Sequence, residues 1–229
     1  MKKVFSKLRE FCSTYSYAWI VPAYIAVYLP WFFLLERHVT RGYHVIHMAI
    51  DDYIPFCEYF IIPYYMWFFY MAVCVGLCLF TNKRAFFQCF SFLAIGMTIF
   101  LIVSTIFPNG HHLRPSTFVH ENFFSNLVAG LYAIDTPTNL FPSIHVYNSI
   151  GSHLGICTNE NLRKYKWLRV SSFIICVSII LSTMFLKQHS VFDVLTAFAL
   201  GIIVYPLTFK FDFESFIERQ KQKKERAHA

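Results

Sequence analysis

Six stretches of the chain are long, rich in aliphatic and aromatic residues and almost free of charge, and they leave few folds open to it. They cover residues 17–35, 59–80, 85–107, 140–157, 170–186 and 190–209. A helix rises 1.5 Å per residue, so about 20 residues cross the roughly 30 Å hydrocarbon layer of a bilayer. Inside that layer backbone N–H and C=O groups find no water and must pair within the segment, which selects helices. The composition agrees. Of the 229 residues 56% are hydrophobic and only 14% charged, against about 25% charged in an ordinary soluble domain. The expected fold is all-α: a polytopic membrane protein, one domain over 1–229 built as a bundle of six transmembrane helices.

The basic residues set an expected orientation. The N-terminal tail has four Lys and Arg, residues 81–85 two, residues 158–169 four and the tail from Lys210 six, giving 16 on one side. Arg37, Arg41, Arg114 and Lys187 make four on the other. Positive residues gather on the cytoplasmic side, so both termini are expected there. The net charge of +7 therefore reports topology, not nucleic-acid binding, for which no zinc-finger spacing or soluble module is present. The first run follows Lys2, Lys3, Lys7 and Arg9 but is too long for a signal peptide and lacks a small-residue cleavage site. Cys74, Cys78, Cys89 and Cys176 lie in apolar runs without a metal-ligand spacing and are expected to be small core hydrophobes.

The fourth run is the most polar. His145, Asn148, Ser149, Ser152 and His153 fall on one helical face, so this span belongs inside the bundle, lining a site. Two outer segments are long. Residues 36–58 hold Asp51 and Asp52, which either cap the second helix or touch a substrate. Residues 108–139 open with Pro108-Asn109-Gly110 and contain ENFFSNLVAGLYA, expected as a short helix at the interface. The tail ERQKQKKERAHA, in the basic segment 210–229, is expected as a solvated helix end.

Three groups carry chemistry. Asp193 is an acid inside the sixth run, and His189 stands four residues before it. On a helix the two share a face, so the carboxylate can take the proton of one ring nitrogen and leave the other as a free lone pair, a poised nucleophile or base. The second group is Pro142-Ser143-Ile144-His145. Proline suits a first helical turn, whose free N–H groups, with Ser143, would face an anion, with His145 one turn in. The third is Arg114-Pro115, whose guanidinium can hold two phosphate oxygens. By the expected topology all three lie on the non-cytoplasmic side. His153 and the serines Ser171 and Ser178 are expected to be bundle contacts, and adjacent His111 and His112 make a poor metal pair.

An Arg-Pro pair, then PSxH, then a Ser seven residues before a His that is four before an Asp resembles the ordered signature of the type 2 phosphatidic acid phosphatase superfamily. Here it is Arg114-Pro115, Pro142-Ser143-Ile144-His145, and Ser182 with His189 and Asp193, the core motifs lying within 108–195. The resemblance implies that His189 attacks phosphorus to form a phosphohistidine, Asp193 orients it, and His145 protonates the leaving oxygen. Arg114, Ser143 and Ser182 would hold phosphate oxygens. The resemblance also implies no metal and no other cofactor. The partners implied are a bilayer and a phospholipid or other lipid phosphate substrate.

The chain departs from that pattern at two positions. Phe107 and Thr183 stand where such phosphatases usually have Lys and Arg. Each missing cation removes on the order of 4 kcal/mol of raw attraction at 4 Å and an effective dielectric near 20. Lys187, His111 or His112 could fill the gap. Alternatively, the substrate is a phosphodiester with a single charge, as in the sphingomyelin and inositol phosphorylceramide synthases, whose third motif HSVFDV resembles. The preferred expectation is a lipid phosphatase at the extracytoplasmic face, with a head-group transferase second and a non-catalytic lipid-binding relative third.

Overall fold

The computed structural model describes residues 13–210. A 3-10 turn, Ser16–Trp19, leads into α1 (Ile20–His38). Then follow α2 (Ile61–Thr81), α3 (Lys83–Ile106), α4 (Phe123–Ile134), α5 (Ile144–Thr158), α6 (Lys166–Phe185) and α7 (Val191–Tyr205), which runs on as a π turn, Pro206–Lys210. Two-residue strands β1 (His44–Val45) and β2 (Asn109–Gly110) pair in parallel. Each expected span returns as a helix with its ends shifted by a few residues. The expected interface helix is α4. The basic residues Lys2, Lys3, Lys7 and Arg9 and the tail beyond Lys210 lie outside the described residues.

Among the described residues five helices are long and apolar enough to cross a bilayer: those of Ser16–His38, Glu58–Thr81, Lys83–Ile106, Lys166–Phe185 and Val191–Lys210. The fourth expected run departs from this. Its helix, α5, starts at Ile144 instead of residue 140 and has 15 residues, a rise of about 22 Å. It still runs the length of the body. At its N-terminal end His145 meets His189. Just past its C-terminal end the Asn159 Nδ2 donates to Thr81 Oγ1 at the end of α2. Because α5 is enclosed, it needs no lipid-facing band: Asn148, Ser149 and Ser152 are fully buried. The exposed large side chains sit on the outer helices instead, among them Phe68, Phe69, Ile202 and Ile203, as a lipid-facing surface requires.

Small residues let α5 approach its neighbours. A Cβ at Gly151 would come 2.5 Å from Phe92, and one at Gly155 2.9 Å from Cys89, both on α3. In the opposite direction Tyr147 lies over Gly96, where a Cβ would stand 1.9 Å from its ring. Tyr147 is fixed there by its hydroxyl, which donates to Phe92 O at 2.9 Å, and by stacking on the Phe92 ring. Close backbone approach of this kind replaces the hydrophobic drive that lipid removes. Cys74, Cys78, Cys89 and Cys176 are all buried in the apolar clusters, as their sequence setting implied.

Two serine expectations need correction. Ser171 is exposed, and Ser178 turns its hydroxyl onto Ile174 O of its own helix. The residue facing inward is Ser172, whose Oγ lies 2.7 Å from Tyr70 Oη and 3.0 Å from His153 Nδ1. His153 is thus a bundle contact, as expected.

The chain ends of the helices gather at one end of the body. There β1 and β2 join the loop after α1 to the loop after α3, and Cys57 N donates to Phe185 O. For Asp51 the sequence left two roles open, a cap on the second helix or a substrate contact. It caps α7 and not the second helix: Oδ1 accepts from Val191 N at 2.8 Å and Oδ2 from Ser190 Oγ at 2.6 Å. A carboxylate suits a helix N-terminus through the dipole as well as through these bonds. Asp52 instead pairs with His47 at the surface.

Candidate active site

The site is assembled at the gathered end, where the loop between α6 and α7 meets the N-terminus of α5. The C=O of Thr183 accepts from both Gln188 N and His189 N, so the last turn of α6 holds the loop. Ser190 caps α7 and Asp193 closes the capping box, its Oδ2 accepting from Ser190 N at 3.0 Å. The same Oδ2 lies 3.3 Å from His189 Nδ1. A local helix-start motif therefore also fixes the imidazole: with Nδ1–H donated to Asp193, Nε2 keeps its lone pair. His189 is 4% exposed. Burial, and then the Arg114 guanidinium, push its imidazole down to about 3.

Opposite stands His145, with its Nδ1 3.2 Å from His189 Nε2. Given the tautomer above, Nδ1–H of His145 donates to the free nitrogen of His189. The rings of Tyr64 and Trp67 on α2 pack on His145 with centroids 4.8 and 4.3 Å away and set its plane. The segment before α5 is held by Asn109, whose buried Oδ1 accepts from Leu140 N and Phe141 N. Asn139 takes a left-handed backbone, φ 56°, a conformation asparagine tolerates. The structure thus brings His189 and Asp193 together as their spacing implied, and sets His145 against them.

The expected phosphate ligands are arranged less simply. Pro142 precedes the helix and is not in its first turn; the N-cap is Ser143, buried, with its Oγ turned back to Val146 N at 3.4 Å. Ser182 is also buried, and its hydroxyl donates to Ile179 O within α6. Arg114 reaches the C-terminal end of α4. Nη1 donates to Asp135 O at 2.7 Å, Nη2 to Thr136 O at 3.2 Å and to Gln188 Oε1 at 2.5 Å, while the guanidinium stacks on Tyr132. Only Nε is buried without a partner.

Nor do nearby groups replace the two missing cations. Lys187 Nζ donates to Asp51 O at 2.7 Å. His111 has both ring nitrogens engaged, Nδ1 accepting from Leu113 N and Nε2 donating to Gln188 O, and burial pushes it down to about 4. His112 is exposed beside Tyr43.

Two acids that sequence reasoning missed stand beside the histidines. A cavity of about 30 Å³ is lined by His145, His189, Asn139, Glu36 and Asp135, among others. Glu36, in the last turn of α1, accepts from Thr136 Oγ1 and Asn139 Nδ2. Burial raises the Asp135 carboxyl to about 6, against the pull of Arg114. Neither acid has a local sequence signal. They stand 99 positions apart in the chain (135 − 36) and meet only through the fold.

Comparison with protein families gives one match. The model of the PAP2 superfamily matches residues 113–217. Over that stretch the chain is similar to the PAP2 superfamily. Comparison with curated proteins and with solved structures gives no match. The matched region runs from the residue before Arg114 through α4, α5, α6 and α7, so it contains Ser143, His145, Ser182, His189 and Asp193. Members of the PAP2 superfamily are generally phosphatases or phosphotransferases, and the matched stretch here lies in an all-α membrane protein.

Proposed function

We propose that the protein hydrolyses a phosphate monoester or pyrophosphate carried by a membrane lipid, through a phosphohistidine on His189. The observation that carries this reading is the chain of contacts Asp193, His189, His145, at 3.3 and 3.2 Å. It gives a nucleophile with a fixed tautomer and an acid in contact with it.

In the first half-reaction His189 Nε2 forms a bond to phosphorus as the bond to the leaving oxygen breaks, and His145, entering the step as the imidazolium with the substrate phosphate as its counter-charge, delivers its Nδ1 proton to that oxygen and ends neutral. Asp193 keeps the Nδ1–H of His189 and faces the positive charge that grows on the ring. In the second half, water attacks phosphorus, gives its proton to His145, and the N–P electron pair returns to His189. Arg114 supplies positive charge to the transferring group through Nε–H. The basic-residue count supports an extracytoplasmic site.

A second reading has its own support. The cavity carries two carboxylates, and Lys187 and His111 are committed elsewhere. A singly charged phosphodiester suits so light a cage better than a dianion. In that reading a lipid hydroxyl replaces water in the second half, as in sphingomyelin and inositol phosphorylceramide synthases.

One experiment tests both. Purified protein is given a lipid phosphomonoester and, separately, a phospholipid with a labelled head group plus a diacylglycerol or ceramide acceptor. Phosphate release supports the hydrolase and label on the acceptor the transferase. Turnover unchanged in His189→Ala would sink the mechanism, and no turnover across a broad lipid panel would favour a binding protein.

A further inference from the structure

We propose that Cys157 is a site of S-acylation, its thiol taking a long-chain acyl group from an acyl thioester at the end of the bundle opposite the two catalytic histidines. The site is independent of the reaction proposed for His189.

The thiol has a base beside it. Cys157 lies in the last turn of α5, with its Sγ 3.5 Å from Nε2 of His153, one turn earlier. The ring is held from its other side. His153 Nδ1 is 3.0 Å from Ser172 Oγ, which is 2.7 Å from Tyr70 Oη, and Ser172 and Tyr70 are both buried. Tyr70 Oη–H donates to Ser172 O at 3.2 Å. The Ser172 hydroxyl then donates to Tyr70 Oη, its oxygen accepts Nδ1–H of His153, and Nε2 is left to accept the thiol proton. A nucleophile, a base within reach and a third group that orients the base make the arrangement that activates a thiol.

The setting selects the electrophile. Among the described residues Cys74, Cys78, Cys89 and Cys176 are buried, while Cys57 and Cys157 are partly exposed. Just beyond Cys157, exposed Tyr165 and Trp167 mark the headgroup level, and Arg163, Lys164, Lys166 and Arg169 are exposed around them. This is the end that the basic-residue count expects in the cytoplasm, where thiols stay reduced. Coenzyme A is a polyanion, so its acyl thioesters are drawn to these cations. From the thiol inward, Val170, Phe173 and Ile174 of α6 present exposed apolar side chains, and the Phe173 ring packs on His153 with centroids 5.6 Å apart. An acyl chain on Sγ has that surface to lie along. A small soluble electrophile gains nothing from it.

The step is a transfer between thiols. Sγ of Cys157 bonds to the carbonyl carbon as its proton passes to His153 Nε2. The bond from that carbon to the coenzyme A sulfur then breaks, and the departing sulfur takes the proton from Nε2. One thioester and one thiol are consumed and one of each is formed, so the step needs no oxidant or reductant.

The test uses the full-length protein in lipid nanodiscs with radiolabelled palmitoyl-coenzyme A, the label being mapped by peptide and released with hydroxylamine, which cleaves thioesters. Cys57, in the loop before α2, is the internal comparison. We expect hydroxylamine-labile label at Cys157 to exceed that at Cys57 by about tenfold or more, and His153→Gln to slow the labelling of Cys157 about 100-fold, the scale of general-base catalysis. The thermal midpoint of the variant is read alongside. If it falls, the ratio of Cys157 to Cys57 in the unsubstituted protein decides without any substitution. Absence of label at Cys157, or equal label at the two cysteines, overturns the inference. So does labelling of His153→Gln within about threefold of wild type at an unchanged midpoint.

Discussion

Replacing Asp193 by asparagine separates the structural from the chemical work of this residue. Oδ2 of Asp193 accepts from Ser190 N at 3.0 Å and faces His189 Nδ1 at 3.3 Å, while Oδ1 is buried without a partner. An asparagine with its carbonyl in the Oδ2 position keeps both bonds, so the helix cap survives and stability should change by less than about 1 kcal/mol. What is lost is the charge. A neutral imidazole that bonds to phosphorus becomes cationic, so the carboxylate acts mainly on the transition state and the intermediate. At 3.3 Å and an effective dielectric near 20, that attraction is about 5 kcal/mol. The corresponding loss in turnover is about 5 × 10³-fold. The measurement is kcat on the preferred lipid phosphate, beside the thermal midpoint and acid-labile phosphoenzyme in a quench. A loss of less than about tenfold with an unchanged midpoint would show that the His189 ring carries no developing charge next to Asp193.

Other expectations follow from single contacts. His111 has a folded-state value of about 4, below the unfolded value of about 6.5. Its contribution is therefore present above pH 6.5 and lost as pH falls through 4, on the order of 3 kcal/mol in all. Thermal midpoints across that window should fall less steeply in His111→Gln, and parallel curves would refute the assignment. Gly96→Ala places a Cβ 1.9 Å from the Tyr147 ring and should destabilise by about 1–3 kcal/mol, read as a lower midpoint in detergent. Lys187→Ala removes a bond to Asp51 O and should cost about 1 kcal/mol of stability, with kcat within about threefold of wild type. A hundredfold drop would mean that Lys187 reaches the phosphate after all.

The parts of this protein legible in its sequence are those encoded by short-range pattern. Hydropathy alone places the long helices, because each must satisfy its own backbone in lipid. His189 and Asp193 are four residues apart on one helix start, so their contact follows from helical geometry. The pairing of His145 with His189 is a tertiary contact, but motif order implies it. What was not legible depends on how loops return. Pro142 suggested a first helical turn, yet the bonds from Asn109 to Leu140 and Phe141 bring the chain in extended, and Ser143 becomes the cap. Asp51 precedes the second helix in sequence, which leaves a cap there or a substrate contact open; its loop folds over the start of α7 instead. Arg114 looked free to hold phosphate, but the carbonyls ending α4 meet it first. Glu36 and Asp135 had no motif, being ordinary acids until α1 and the segment after α4 converge on the histidines.

The 3.2 Å contact between the two imidazoles has a consequence for how substrates are chosen. A nitrogen that attacks phosphorus from about 3 Å, and an acid that bonds the oxygen leaving on the far side, must be further apart than that. In the proposed reaction each turnover thus begins by prising the rings apart, and the resting enzyme keeps its nucleophile sheathed against soluble phosphate esters that drift past. The force for this opening has to come from elsewhere on the substrate, and the lipid tail is the part with apolar area to give. A water-soluble head-group fragment should then fail in kcat, not merely in KM.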